Sequence, residues 1–147
     1  TPVLVSRHTD KHGGVIEVTD FCPRYIRNGR TYRPVAFARI VKPISGSPRL
    51  KMRLRPTCGW GGTCREQVGG SNHVRYELGP EELRLTTTAP IEFVLNETPF
   101  LLDRPQVFLL GPNEPLSDAP QVIADRFLER TQDYWLDWVR ALSIPPD

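Results

Sequence analysis

The sequence predicts a mainly β protein, an antiparallel β-sandwich closed by one long C-terminal amphipathic α-helix. Three observations lead there. Short apolar runs alternate with a period of two along most of the chain, as strands with one buried face do. Turn residues punctuate these runs at the spacing of an all-β fold, and the 15 prolines of this 147-residue chain argue against a helical bundle. From residue 121 to 142 the period changes to that of a helix. Strands grouped before a helix suggest a sandwich with the helix laid on it or on a neighbour.

The first run, residues 2–7, places Val3 and Val5 on one face, and His12-Gly13-Gly14 supplies a turn. The next strand, 15–21, sets Ile16 and Val18 against Glu17 and Thr19 and stops at Pro23. Residues 24–31 read as a polar loop containing Asn28-Gly29. Residues 33–56 carry two apolar runs around a Gly/Ser/Pro-rich turn at 43–48, which predicts a β-hairpin. Its second run is the cleanest alternation in the chain: Leu50, Met52 and Leu54 against Lys51, Arg53 and Arg55. Residues 57–71 form the longest irregular segment, rich in glycine and carrying Trp60. Strands are expected at 72–78, 82–87, 91–95 and 105–110.

After the break at 110–115, Ser117 is the expected N-cap and Pro120 fits the first turn of the helix. Ile123, Phe127, Tyr134, Trp138 and Leu142 share one side, widened by Leu128, Trp135 and Val139. Asp133 can meet Arg130, and Asp137 can meet Arg140, before Pro145-Pro146 ends the helix. Residues 1–112 are read as the sandwich domain and 113–147 as a linker helix.

Composition excludes several functions. Hydrophobic content of 39% and charged content of 24% are ordinary for a soluble globular chain. A net charge of +2 gives no general attraction to nucleic acid or anionic membrane, and no apolar run is long enough to span a bilayer. The three cysteines, Cys22, Cys58 and Cys64, form no regular framework, and we read them as thiols of a cytoplasmic protein. Cys58 and Cys64 could close a small loop if oxidised.

No catalytic, metal or cofactor site emerges. His8, His12 and His73 lack ligand spacing, and no G-x-S-x-G motif is present. Nothing in the spacing sets two carboxyls across a cleft. Arg49, Lys51, Arg53 and Arg55 align as a phosphate groove would, but at this net charge we read a solvated face paired with acids such as Glu17 or Glu77. Trp60, Trp135 and Trp138 offer flat rings suited to stacking on sugars or packing on a neighbouring domain.

Several stretches resemble the N-terminal β-rich domain of bacterial glycoside hydrolase family 15 proteins, the glucoamylase- and trehalase-like group. They are residues 15–23 (VIEVTDFCP), 39–46, Leu54-Arg55-Pro56 with Gly59-Trp60-Gly61, 71–76 (SNHVRY), Glu97-Thr98-Pro99-Phe100, and Phe127-Leu128-Glu129-Arg130-Thr131 through Tyr134, Trp135 and Trp138. The resemblance implies a supersandwich-like β-domain and a linker helix leading into a separate (α/α)₆ barrel. In that family the barrel holds the two glutamates that hydrolyse an α-glucoside with inversion. Residue 147 falls about where such a barrel would begin, and residue 1 falls inside a strand, so the expectation is a non-catalytic fragment whose partner is its own barrel. No family catalytic residue maps onto a position here. The alternative is an autonomous carbohydrate-binding module gripping an α-glucan through Trp60. Cut from its barrel, the domain is expected to self-associate through the aromatic helix or an edge strand.

Overall fold

The computed structural model describes residues 2–63 and 66–142. Among them the chain forms β1 (Val3–Thr9), β2 (Val15–Phe21), β3 (Tyr25–Arg27), β4 (Arg30–Tyr32), β5 (Phe37–Ser45), β6 (Arg49–Leu50), β7 (Thr57–Cys58), β8 (Gly62–Thr63), β9 (Glu66–Gly69), β10 (His73–Glu77), β11 (Glu82–Thr87), α1 (Ile91–Leu95), β12 (Phe100–Leu101), β13 (Gln106–Pro112) and α2 (Pro120–Ala141). One antiparallel seven-stranded sheet runs β1-β2-β5-β13-β11-β10-β9. The mainly β class, with a large antiparallel sheet and one long C-terminal helix, is the one the periodicity predicts.

Each face of the sheet is covered by different material. On one face Val41, Val74, Tyr76, Leu85 and Phe108 form a buried cluster with Val94, Phe100 and Leu102 from the layer above. That layer consists of the β6–β12 ribbon, the extended segment 51–56 and α1. On the other face Ala38, Ile40, Val107 and Leu109 meet Ile123 and Ala124 of α2, with Phe127 and Leu128 at the margin. Strand β13 serves both cores: Phe108 points into the first, while Val107 and Leu109 point into the second. This is the pattern of a strand buried on both sides.

Three local expectations are corrected. The hairpin expected over 33–56 does not form, because β5 pairs with β2 and β13 and not with the segment that follows. Residues 51–56 keep their alternation, with Met52 and Leu54 packed against the core and Lys51, Arg53 and Arg55 exposed, but they cross over the sheet instead of joining it. Residues 91–95, expected as a strand, are the short helix α1. Pro90 occupies the N-cap position, and Ile91, Val94 and Leu95 fall on one side at helical spacing, where they pack against the core. An apolar run of five residues does not distinguish the two periods. Residues 24–31 are not a plain loop: β3 and β4 pair across Asn28-Gly29, whose φ angles of 50° and 73° are those of a type I′ turn.

Two cations of the basic stripe, Arg53 and Arg55, pair with a different acid from those anticipated. Glu97 accepts a two-pronged hydrogen bond from Arg55 at 2.7 Å on both oxygens and lies 3.3 Å from Arg53. Glu17 pairs with Arg7 instead, and Arg75 approaches Glu77. Residue 97 sits in the left-handed region at φ 51°, in the turn that leaves α1. The Arg55 guanidinium holds the Glu97 carboxyl below the usual carboxylate range.

Candidate functional site

Helix α2 divides into two halves. Its N-cap is Ala119 and not Ser117, and no side chain caps it; Pro120 begins the helix, where its missing N–H costs nothing. The first half seats Ile123, Ala124, Phe127 and Leu128 on the sheet. Thr131, 0% exposed, is the last residue fully held there. Beyond it the apolar side leaves its cover, and Leu136, Trp138, Val139 and Leu142 are each about half exposed.

Arg24, just after β2, marks the division. Its backbone N–H donates to the Thr131 hydroxyl at 3.1 Å, and its Nε donates to the Tyr134 hydroxyl at 3.2 Å. The guanidinium lies over the rings of Tyr134 and Trp135, at 5.4 and 5.2 Å from their centroids. Trp135 meets Tyr134 and Trp138 edge-to-face, with centroids 5.2 and 5.7 Å apart. Quadrupole attraction favours both arrangements. The Trp135 Nε1–H is buried and finds no hydrogen-bond partner among the described residues. Trp135 also walls a groove of about 520 Å³ shared with Pro2, Leu4, Cys22, Arg33 and Phe37. Asp20 borders this groove, but Arg39 grips both its oxygens at 2.7 and 2.8 Å.

Trp60 stands apart from that cluster. It is fully exposed at the tip of the β7–β8 hairpin, in the left-handed region at φ 62°, between Gly59 and Gly61. The hairpin lies beside Gly79 at the β10–β11 turn, whereas Trp135 faces β1 at the opposite edge of the sheet. The structure therefore joins Trp135 to Trp138 and leaves Trp60 separate.

Arg24 is the residue that sequence reasoning missed. It lies 107 and 110 positions from its partners, and nothing local marks it as their staple. On the helix itself Arg140 approaches Asp137 at 3.7 Å, while Arg130 turns to the face of Tyr25 instead of to Asp133. Cys22 and Cys58 are free thiols, as read from the sequence, and Cys64 lies outside the described residues. Among the described residues no three His, Cys, Asp or Glu side chains converge on a metal-sized cage, and no helix is long and apolar enough to cross a membrane. Comparison of the chain with protein-family models, curated proteins and solved structures finds no match.

Proposed function

We propose that this chain is the non-catalytic β-domain of an α-glucoside hydrolase of the glucoamylase- and trehalase-like kind, and that it supports an (α/α)₆ catalytic barrel through the aromatic half of α2. The observation that carries this reading is the division of the helix at Thr131. One half is anchored in the domain core, and the other exposes Trp138, Val139 and Leu142 on one side, with Leu136 further round the helix. Exposed apolar patches of this kind mark interaction surfaces. An exposed free thiol at Cys22 agrees with a cytoplasmic setting. The test is to titrate the chain with an (α/α)₆ barrel domain from such a hydrolase while following indole fluorescence. Saturable burial that Trp138→Lys abolishes supports the reading, and an unchanged spectrum overturns it.

A second reading, carbohydrate binding, is favoured by Trp60 alone, whose indole stands wholly in solvent on a strained turn. Binding of maltoheptaose that Trp60→Ala removes, with α2 intact, would select it.

A further inference from the structure

Below the first half of α2, beside the β3–β4 hairpin, the sheet opens into a cleft of about 360 Å³. This volume lies within the range of small-molecule sites. Its aromatic wall is a packed trio. The Tyr25 ring lies 5.0 Å from Tyr32 and 6.1 Å from Phe127, and Tyr32 lies 6.4 Å from Phe127. Burial raises the phenol pKa of Tyr32, so it stays a neutral hydrogen-bond donor.

The charge lining the cleft is one-sided. Arg27, Arg84, Arg126 and Arg130 all border it, against Glu114 as the one carboxylate among the bordering residues. Arg126 is paired, 3.1 Å from Asp118. The other three are not engaged by any carboxylate among the described residues. Arg27 and Arg130 lie over the faces of Tyr32 and Tyr25, at 5.4 and 5.2 Å. Arg84 rises from β11 and donates from Nη2 to His73 Nε2 at 3.2 Å, while its Nε–H is buried with no hydrogen-bond partner among the described residues. Each buried donor left unmade costs free energy that an acceptor would restore.

A concave site with low-dielectric aromatic walls focuses the field of its charges. Guanidiniums seated over rings, with no carboxylate on them, keep N–H donors available, and their forked edges match phosphate oxygens. A carboxylate offers one charge and two oxygens to this set. A phosphate monoester offers a dianion with three terminal oxygens, closer to what three unpaired guanidiniums can take up. We propose that the cleft between α2, the β3–β4 hairpin and β11 binds a phosphate monoester carrying a ring, a sugar phosphate or a nucleoside monophosphate, with the phosphate on Arg27, Arg84 and Arg130 and the ring against the Tyr25–Tyr32–Phe127 wall. This site is separate from the aromatic end of α2 and stands or falls independently of the support role.

Sequence signals for the cleft are weak because its residues lie on six elements and no two of the three unpaired arginines share one. The arginines also read individually as surface charge. The test is calorimetric titration of the intact chain with glucose 6-phosphate and with AMP. Glucose, adenosine and inorganic phosphate serve as comparison ligands. At least one ester should bind, tighter by about tenfold or more than both its neutral parent and inorganic phosphate, and the tighter ester identifies the body of the ligand. Arg130→Gln changes an exposed residue and is expected to leave the fold intact while weakening binding by about tenfold, or roughly 1.4 kcal/mol; Arg84→Gln should weaken it at least as much. Absence of binding by both esters at millimolar concentration overturns the proposal. So does an ester that binds no better than its neutral parent or than inorganic phosphate, or affinity unchanged in Arg130→Gln.

Discussion

The Thr131 hydroxyl accepts the backbone N–H of Arg24 at 3.1 Å, joining the end of β2 to the middle of α2 across 107 residues. Thr131 is wholly buried, so its hydroxyl has left water, and the Arg24 N–H supplies a hydrogen bond in return. Replacing Thr131 by Val keeps the shape and removes the acceptor. The expected loss is about 1–3 kcal/mol of unfolding free energy, measured by urea denaturation. Thr131→Ser, which restores the hydroxyl, should recover most of it. Equal stability of the Val variant and the wild type would show that the helix is held by apolar packing alone.

Stability should also depend on pH through His73. Its imidazole pKa is lowered, first by burial and then by the neighbouring positive charges of Arg84 and Arg75. Its Nε2 accepts from Arg84, and its Nδ1–H donates to Asn72 Oδ1 at 3.3 Å, so the neutral ring fits this geometry. The unfolded chain then binds the proton more readily than the folded one. Stability is complete above the ordinary histidine value of 6.5 and falls as pH drops below it. Urea midpoints between pH 7.5 and 5.5 should decline for the wild type, and the decline should be smaller for His73→Gln. Parallel declines in the two proteins would remove His73 from the explanation.

Two adjacent glycines in the β1–β2 turn should respond differently to the same substitution. A Cβ on Gly14 would lie 2.6 Å from an Asp10 carboxylate oxygen and 2.9 Å from the Cα of Pro48, and the latter is backbone that cannot swing aside. A Cβ on Gly13 would meet nothing within 4 Å, so there only the left-handed φ of 84° is penalised. Gly14→Ala should cost roughly 1–3 kcal/mol by overpacking, and Gly13→Ala about 1–2 kcal/mol by backbone strain alone. The variants are separated by structure: Gly14→Ala should displace the 46–48 loop, seen as amide shifts around Pro48, and Gly13→Ala should leave it in place. Unmoved Pro48 neighbours in Gly14→Ala would contradict the contact.

The half-exposed apolar residues in the second half of α2 predict that the isolated chain self-associates. Light scattering should show mass rising with concentration, and Trp138→Ser with Val139→Ser should suppress the rise. A monodisperse monomer at high concentration would count against an interaction role for this face. Strand β1 is the other candidate, because it is an edge of the sheet and exposes Leu4 and Val5. Association that persists in the helix variant would point there.

What the sequence made legible follows from how local each signal was. Strand β10 and helix α2 each bury one face, and their period states it, whereas β13, buried on both sides, reads only as an apolar run. Alternation in residues 50–55 correctly gave the buried side, with Met52 and Leu54 inward, but periodicity does not say whether an extended segment joins a ladder. Residues 91–95 are too short for a period to decide. The Asn28-Gly29 turn was readable from its φ requirement, and its flanks, Tyr25-Ile26-Arg27 and Arg30-Thr31-Tyr32, are what make it a hairpin. The aromatic cluster at Trp135 and Trp138 was visible because i,i+3 neighbours share a helix face. The staple at Arg24, the pairing of Arg53 and Arg55 with Glu97, and the four-arginine cleft depend on contacts between distant segments, for which a single sequence carries no local mark.

The support role is tested most directly by glucose release from maltose, trehalose and soluble starch, measured for the purified chain alone and after addition of a family 15 barrel domain. No release by the chain alone is expected, and turnover by the barrel should be faster or more durable with the chain present than with its Trp138→Lys variant. Glucose released by the chain alone would contradict the support role, as would a barrel whose activity and lifetime are indifferent to the chain.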